Sequence, residues 1–245
     1  MTAPRQKLDP RGPVCPQIAV TEDLLLMGVV GSRAYGLDHD SSDTDMLGAY
    51  LAPTTSFLGM TPPGRSDRSQ VSHDPDVTVH ELGKYMGLAA KANPTVLELL
   101  YLDDYVLTTD LGRQLVRLRE HLLSAPAVCA AYLGFATSET ARIARRDVTA
   151  GYDARVEKLG RHVLRLLQGG LSLYTDGHLR VRVQDRDEVL AFGREVASGN
   201  TDLLRDTLAE YKGRFAAASS PLSERPGMAL LSDWLVSIRT RRLQQ

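Results

Sequence analysis

Cysteine is almost missing from this chain of 245 residues: Cys15 and Cys129 lie far apart, with no other thiol near either. That excludes a disulfide scaffold and a zinc ribbon and fits the reducing cytoplasm. The histidines His39, His73, His80, His121 and His178 show no H-x-x-x-H or mixed Cys/His spacing, which removes the usual zinc sites. A charge excess is missing as well. The 29 Lys plus Arg face 30 Asp plus Glu, a formal net charge of −1, so there is no global basic field and any site for a polyanion must be local. No window approaches the ~18 apolar residues of a membrane span. Residues 1–16 lack the apolar run of a secretory signal, so the chain is expected to be neither secreted nor membrane-embedded. Repeats and low-complexity tracts are absent too. What remains, 43% hydrophobic and 24% charged residues, is an ordinary globular composition, long enough for one large domain or two small ones.

The apolar run 24–30 (LLLMGVV) ends in Gly31 and predicts a buried strand entering a tight turn. After a loop rich in Asp, Ser and Gly, residues 43–51 (DTDMLGAYL) predict a second strand paired with the first. Asp43 and Asp45 would then share a face, because side chains at i and i+2 coincide. Residues 53–75, crowded with Pro, Gly, Ser and Asp, predict a mobile loop able to cover a site. Residues 77–80 (VTVH) predict a third strand, and 82–92 a helix stopped by Asn93-Pro94. From Thr95 onward the spacing turns helical, most clearly over 152–173. There Val156, Leu159, Val163, Leu166 and Leu167 form an apolar stripe, with Arg155, Lys158, His162 and Arg165 as a basic ridge beside it. Residues 179–183 alternate and predict a short edge strand. Trp234 is expected to anchor the last helix, and Arg142, Arg145 and Arg146 to lie on a solvated helix face.

Chemistry concentrates in Gly31-Ser32-Arg33-Ala34-Tyr35-Gly36, followed by Ser42-Asp43-Thr44-Asp45. Glycine has no Cβ, so a Gly-Ser turn after a strand lets backbone N–H groups and a hydroxyl come close to a phosphate. Two carboxylates one residue apart suit Mg²⁺, which takes oxygen ligands and commonly binds one or two carboxylates plus substrate phosphates. A third carboxylate would complete a two-metal arrangement for nucleotidyl transfer, chemistry that asks mainly for positioning and charge neutralisation. Asp76, at the entry to the third strand, is favoured because it can lie beside Asp43 and Asp45 if that strand pairs with the second; Glu81, at the exit, is the alternative. Plainer readings stand beside these: a solvated turn for the Asp pair, a solvent-facing helix for the ridge, and simple packing beside the turn for Tyr35 in place of stacking on a base.

These residues resemble a known family. Gly31-Ser32 followed by Ser42-Asp43-x-Asp45 is similar to the Gly-Ser plus Asp-x-Asp signature of the DNA polymerase β-like nucleotidyltransferase superfamily. Within it, the stretches 31–45 (GSRAYGLDHDSSDTD), 76–100 (DVTVHELGKYMGLAAKANPTVLELL) and 151–167 (GYDARVEKLGRHVLRLL) resemble bacterial and phage nucleotidyltransferases that include the RNA-repair-associated group, over roughly 24–185. The resemblance implies an α+β fold: a small mixed β-sheet with helices as the catalytic core, residues 1–120, then a mainly helical domain, residues 121–245, that completes the nucleotide and acceptor site. It implies Mg²⁺- or Mn²⁺-dependent transfer of a nucleoside monophosphate from a nucleoside triphosphate such as ATP, with release of pyrophosphate. By motif matching, Asp43, Asp45 and Asp76 are catalytic metal ligands and Gly31 and Ser32 contact phosphate, and Arg33 and Ser42 in the same stretch are further candidates for binding the nucleotide. Arg155, Lys158, His162 and Arg165, with Lys84, are the candidate cations for the triphosphate. One carboxylate, Asp76 by preference, would accept the proton of the attacking hydroxyl.

Two positions depart from the family pattern. Where it has Tyr-Asp-x-Lys this chain has Arg155, a bidentate fork in place of a point charge, and Glu81 occupies a position that varies in the family. The first expectation for the acceptor is an RNA or tRNA end. Next come a small hydroxyl compound such as an aminoglycoside or sugar, and a protein side chain. A non-catalytic nucleotide-sensing module of the same fold is the rival of another class, and intact, mutually repelling carboxylates argue against it. The base, the acceptor and the oligomeric state are left open by the sequence.

Overall fold

The computed structural model describes residues 23–40, 42–64, 67–73, 75–145 and 152–244. Strand β1 (Leu24–Val30) is apolar throughout because both of its faces are covered. It pairs antiparallel with β2 (Asp45–Tyr50), Val30 opposite Asp45. Strand β4 (Asp76–Glu81) runs parallel to β2, with Met46 opposite Val77. Two short strands close the edges, β3 (Ser69–His73) on β4 and β5 (Leu107–Thr108) on β1, giving the order β3-β4-β2-β1-β5. The fold is therefore α+β with a five-stranded mixed sheet, as expected, but several boundaries move. Strand β2 begins at Asp45, so Asp43 lies in the turn before it and not on the strand. The stretch expected to be a loop contains β3, whose exposed edge position lets a Ser/Gln/His-rich segment pair. Residues 179–183 form no strand, since Val183 N–H donates instead to Tyr35 O at 3.1 Å.

Helices supply the rest. Helix α1 (Gly31–Tyr35) follows β1 directly; α2 (Leu82–Ala89) follows β4; α3 (Pro94–Glu98) starts where Asn93 Oδ1 accepts the Val96 N–H at 3.3 Å. The expected stop at Asn93-Pro94 is thus also a start. Helices α4 (Asp110–Arg117) and α5 (Arg119–Leu122) lead into α6 (Ala125–Ala144), α7 (Ala154–Asp176), α8 (Arg186–Ala197), α9 (Thr201–Ala217) and α10 (Met228–Leu243). One face of the sheet (Leu26, Leu47, Ala49) packs into the main core with Tyr85, Leu97, Leu99, Tyr132 and Val163; Met46, Tyr50, Val77 and Val79 form a smaller core on the other face. Each buried Leu, Val or Met side chain among them contributes about 1.5–3 kcal/mol. Gly170 lets α7 approach α6, because a Cβ there would press to 2.6 Å from the Tyr132 ring.

The last helix returns to the sheet. Trp234 Nε1 donates to Gln114 Oε1 at 3.0 Å, and Thr54 Oγ1 donates to Arg239 O at 2.9 Å. Trp234 thus anchors α10 through a hydrogen bond as well as through packing. Among the described residues no helix is long and apolar enough to cross a membrane.

Candidate active site

Asp45 and Asp76 head two neighbouring strands. The parallel register sets Met46 against Val77, so the residue before each lies against its counterpart, on the face that carries Leu47 and Ala49 toward the helices. Antiparallel pairing of Val30 with Asp45 brings the end of β1 to the same place. Gly31, the next residue, has φ of +71°, and a Cβ on it would collide with the Asp45 carboxylate. Only glycine meets both demands.

Asp43 is exposed in the turn ahead of β2. Arg33 holds that turn: Nη2 donates to Ser42 O at 2.6 Å and Nε to Asp43 O at 3.3 Å. Ser42 closes the turn itself, its Oγ accepting the His39 N–H at 2.9 Å and its N–H donating to His39 O at 2.9 Å. Arg33 and Ser42 therefore shape the loop that presents Asp43, a more indirect place than the phosphate contact expected of them.

The carboxylates are within electrostatic reach of one another. Burial first, then Asp76 and Asp43, push the Asp45 carboxyl above the usual carboxylate range, while Lys158 pulls it back. Lys158, on α7, thus acts on Asp45 electrostatically; its side chain is exposed, and Arg155 one turn earlier is exposed as well. Asp153 caps that helix, accepting the Arg155 N–H at 2.7 Å, which gives the acid of the Tyr-Asp-x-Arg motif a structural task. Among the described residues no group of three His, Cys, Asp or Glu side chains already converges as a closed metal-ligand set. The donor set nevertheless fits Mg²⁺: paired carboxylates at adjacent strand starts offer hard oxygen ligands and leave the remaining positions to phosphate oxygens and water.

The predicted basic ridge divides along its length. Arg155 and Lys158 reach solvent; His162 is half-buried and Arg165 buried. Burial, then Arg165, Arg142 and Lys158, lower the His162 pKa to about 3, so at neutral pH it is no cation. Arg165 is no triphosphate ligand either: Nη1 donates to Glu98 Oε1 at 2.7 Å, Nη2 lies 3.2 Å from His162 Nδ1, and the guanidinium stacks 3.7 Å from the Tyr35 ring centre. Tyr35 Oη donates to the same carboxylate, 2.7 Å from Oε2 and 2.9 Å from Oε1. Tyr35 thus packs beside the turn and ties α1 to α3 and α7. Glu98, 1% exposed, was not predicted from sequence; its only signal is an acid set in the apolar run 96–100 (VLELL).

Glu81 and Lys84 stand at the opposite end of β4. At about 3.3 Å per residue, Glu81 lies roughly 16 Å from Asp76 along the strand. Glu81 caps α2, accepting Gly83 N–H at 2.8 Å, and pairs with Arg239 at 2.6 Å. Lys84 acts on His80 there, so both lie away from Asp45, and Asp76 is the acid of β4 that the register sets beside it. Arg142 pairs with Glu139 at 2.8 Å and Arg145 is exposed on the helix end, while Arg146 lies outside the described residues.

The family described as RNA repair pathway DNA polymerase beta family matches residues 17–210. Among solved structures, the chain is similar to a nucleotidyltransferase-like protein from Exiguobacterium sibiricum, with 11% identity and a TM-score of 0.30, over 80% of this chain and 69% of that one. No curated protein matches.

Proposed function

Since this chain belongs to the RNA repair pathway DNA polymerase beta family and is a polymerase β-like nucleotidyltransferase, we propose that it transfers a nucleoside monophosphate from a nucleoside triphosphate to a hydroxyl at an RNA end. The acceptor oxygen bonds to the α-phosphorus, the bond to the bridging oxygen of the β-phosphate breaks, and pyrophosphate leaves. The observation that carries the reading is the meeting of Asp45 and Asp76 on adjacent strands, with Gly31 pressed against Asp45 and the Lys158 charge acting on it. The family description supports the choice of RNA, and the scarcity of cysteine supports a cytoplasmic setting.

Asp45 and Asp76, with Asp43, would hold Mg²⁺ or Mn²⁺, which supplies charge neutralisation at the phosphates and lowers the barrier to attack. The chain's own residues do the rest. The Gly31-Ser32 turn offers backbone N–H groups and a hydroxyl to the β- and γ-phosphates. Lys158 and Arg155 oppose the growing negative charge on the leaving pyrophosphate. Asp76 receives the proton of the attacking hydroxyl, a task suited to a carboxylate beside a second one.

The test is incubation with each α-labelled nucleoside triphosphate, Mg²⁺ and total RNA or tRNA, with Asp45→Asn in parallel and a mixture of aminoglycosides and sugars as competing acceptors. Label entering RNA only with intact Asp45 is expected. Equal labelling by the variant would overturn the catalytic assignment, and label entering only small molecules would overturn the acceptor.

A further inference from the structure

A cleft of about 910 Å³ opens beside α1, between the segment before β5 (101–106) and the segment joining α7 to α8 (178–182). Arg33 and Thr44 form part of its wall. Thr44 sits between Asp43 and Asp45, and Arg33 grips the Asp43 backbone, so the cleft adjoins the carboxylates without containing them. Its size falls in the range of small-molecule sites, and it lies between the sheet and the helical half, where such sites form.

The two long walls differ in charge. Asp103 and Asp104, exposed and in no ion pair among the described residues, come from one; Arg180 and Arg182 come from the other. Arg182 lies over Gly36, whose missing side chain leaves it room: a Cβ there would be 3.0 Å from the guanidinium carbon. It too makes no ion pair among the described residues, whereas Arg180 meets Asp176 at 3.2 Å with both side chains nearly half exposed, a pairing that exchanges easily. The backbone under Arg182 is fixed, because Val183 N–H donates to Tyr35 O at 3.1 Å and Arg186 Nε to Gly36 O at 3.1 Å.

We propose that this cleft is the acceptor subsite and that it takes the terminal nucleotide of an RNA. Arg182, helped by Arg180, receives a phosphate; Asp103 and Asp104 receive ribose hydroxyls or a base amine. A polycationic sugar gains nothing from the arginine wall, and a run of phosphates laid along both walls is repelled by the aspartate one. One nucleotide end carries both kinds of group. The inference rests on the transfer reaction proposed above, so its test is made by equilibrium binding, without turnover.

The full chain is titrated, without metal or triphosphate, into a short single-stranded oligoribonucleotide labelled at its 5′ end and bearing a free 3′-hydroxyl. Fluorescence anisotropy is followed at several salt concentrations. Arg182→Ala is expected to weaken binding about tenfold, the loss of one charged hydrogen bond, and to lower the salt slope by about one unit. Asp103→Asn with Asp104→Asn is expected to weaken competition by a free nucleoside 5′-monophosphate. Affinity for a fluorescent nucleoside triphosphate stays unchanged in both variants, and matching far-UV circular dichroism and melting curves confirm the fold. Unchanged oligoribonucleotide affinity in Arg182→Ala overturns the proposal. So does a fall in triphosphate affinity, which would give the cleft to the nucleotide, or displacement of the probe by kanamycin but not by the monophosphate. Arg182-dependent binding without any Asp45-dependent transfer would sink the reaction and leave the subsite standing.

Discussion

Gly31 and Asp45 form the tightest constraint at the residue scale. Gly31→Ala adds a Cβ that collides with the Asp45 carboxylate at a backbone angle alanine avoids. It is expected to destabilise the fold by about 1–3 kcal/mol and to abolish transfer, seen as a lower urea midpoint together with no label incorporated. Asp45 itself is held in the folded chain at a cost, since burial and Asp76 raise its pKa. A raised carboxylate pKa means that the ionised form is less stable folded than unfolded, so stability falls as pH rises through the carboxylate range. Asp45→Asn removes that charge. It is expected to raise Tm at pH 7 while lowering transfer by about 100-fold or more; a lower Tm would contradict the electrostatic account. The Gly-Ser and Asp-x-Asp pattern was readable because both pairs are close in sequence. That Arg33 and Ser42 support the loop from beneath was not, since backbone acceptors leave no trace in residue identity.

Helix α7 shows at the scale of an element why a helical stripe is only half informative. Arg155, Lys158, His162 and Arg165 do share a side, but the start of the helix is exposed and its middle is covered. The covered part pairs with α3 through Glu98 and with α1 through Tyr35. Glu98→Ala leaves the Arg165 charge buried without a partner and is expected to cost about 3–5 kcal/mol. Glu98→Gln keeps a carbonyl acceptor for Tyr35 Oη or Arg165 and should cost less, an order that chemical denaturation of the two variants checks. Strand β4 separates its two acids in the same way. Asp76→Asn is expected to stop transfer, whereas Glu81→Gln keeps kcat near wild type and lowers stability by weakening the bond to Arg239. Loss of turnover in Glu81→Gln at full stability would reverse the assignment.

The whole molecule depends on segments distant in sequence meeting at the sheet. Helix α10 lies over the far end of β4 through Arg239, whose guanidinium also stacks 4.0 Å from the Phe57 ring centre, and Arg242 pairs with Asp23. The closed core also determines the acid response. His162 is neutral when folded, with its pKa lowered from 6.5 to about 3. The unfolded chain therefore takes up the proton first as pH falls, and stability that is complete above pH 6.5 is lost progressively toward pH 3. Urea midpoints measured from pH 7 down to pH 4 are expected to fall, and His162→Gln to flatten the decline.

The sequence alone determined the strand, turn and acid motif, because β1, Gly31-Ser32 and Asp43-x-Asp45 interact within some twenty residues and local geometry decides their relation. Apolar periodicity also determined the helical C-terminal half, and the α+β class followed from the family resemblance of the motifs. Tertiary structure decided which acid of β4 lies beside Asp45, by setting β4 parallel to β2 in one register. It decided too which cations stay in water and which are drawn onto Glu98. Those choices turn on burial and on partners far apart in sequence, 67 residues between Glu98 and Arg165 and 158 between Glu81 and Arg239, and residue spacing along one element carries no information about either.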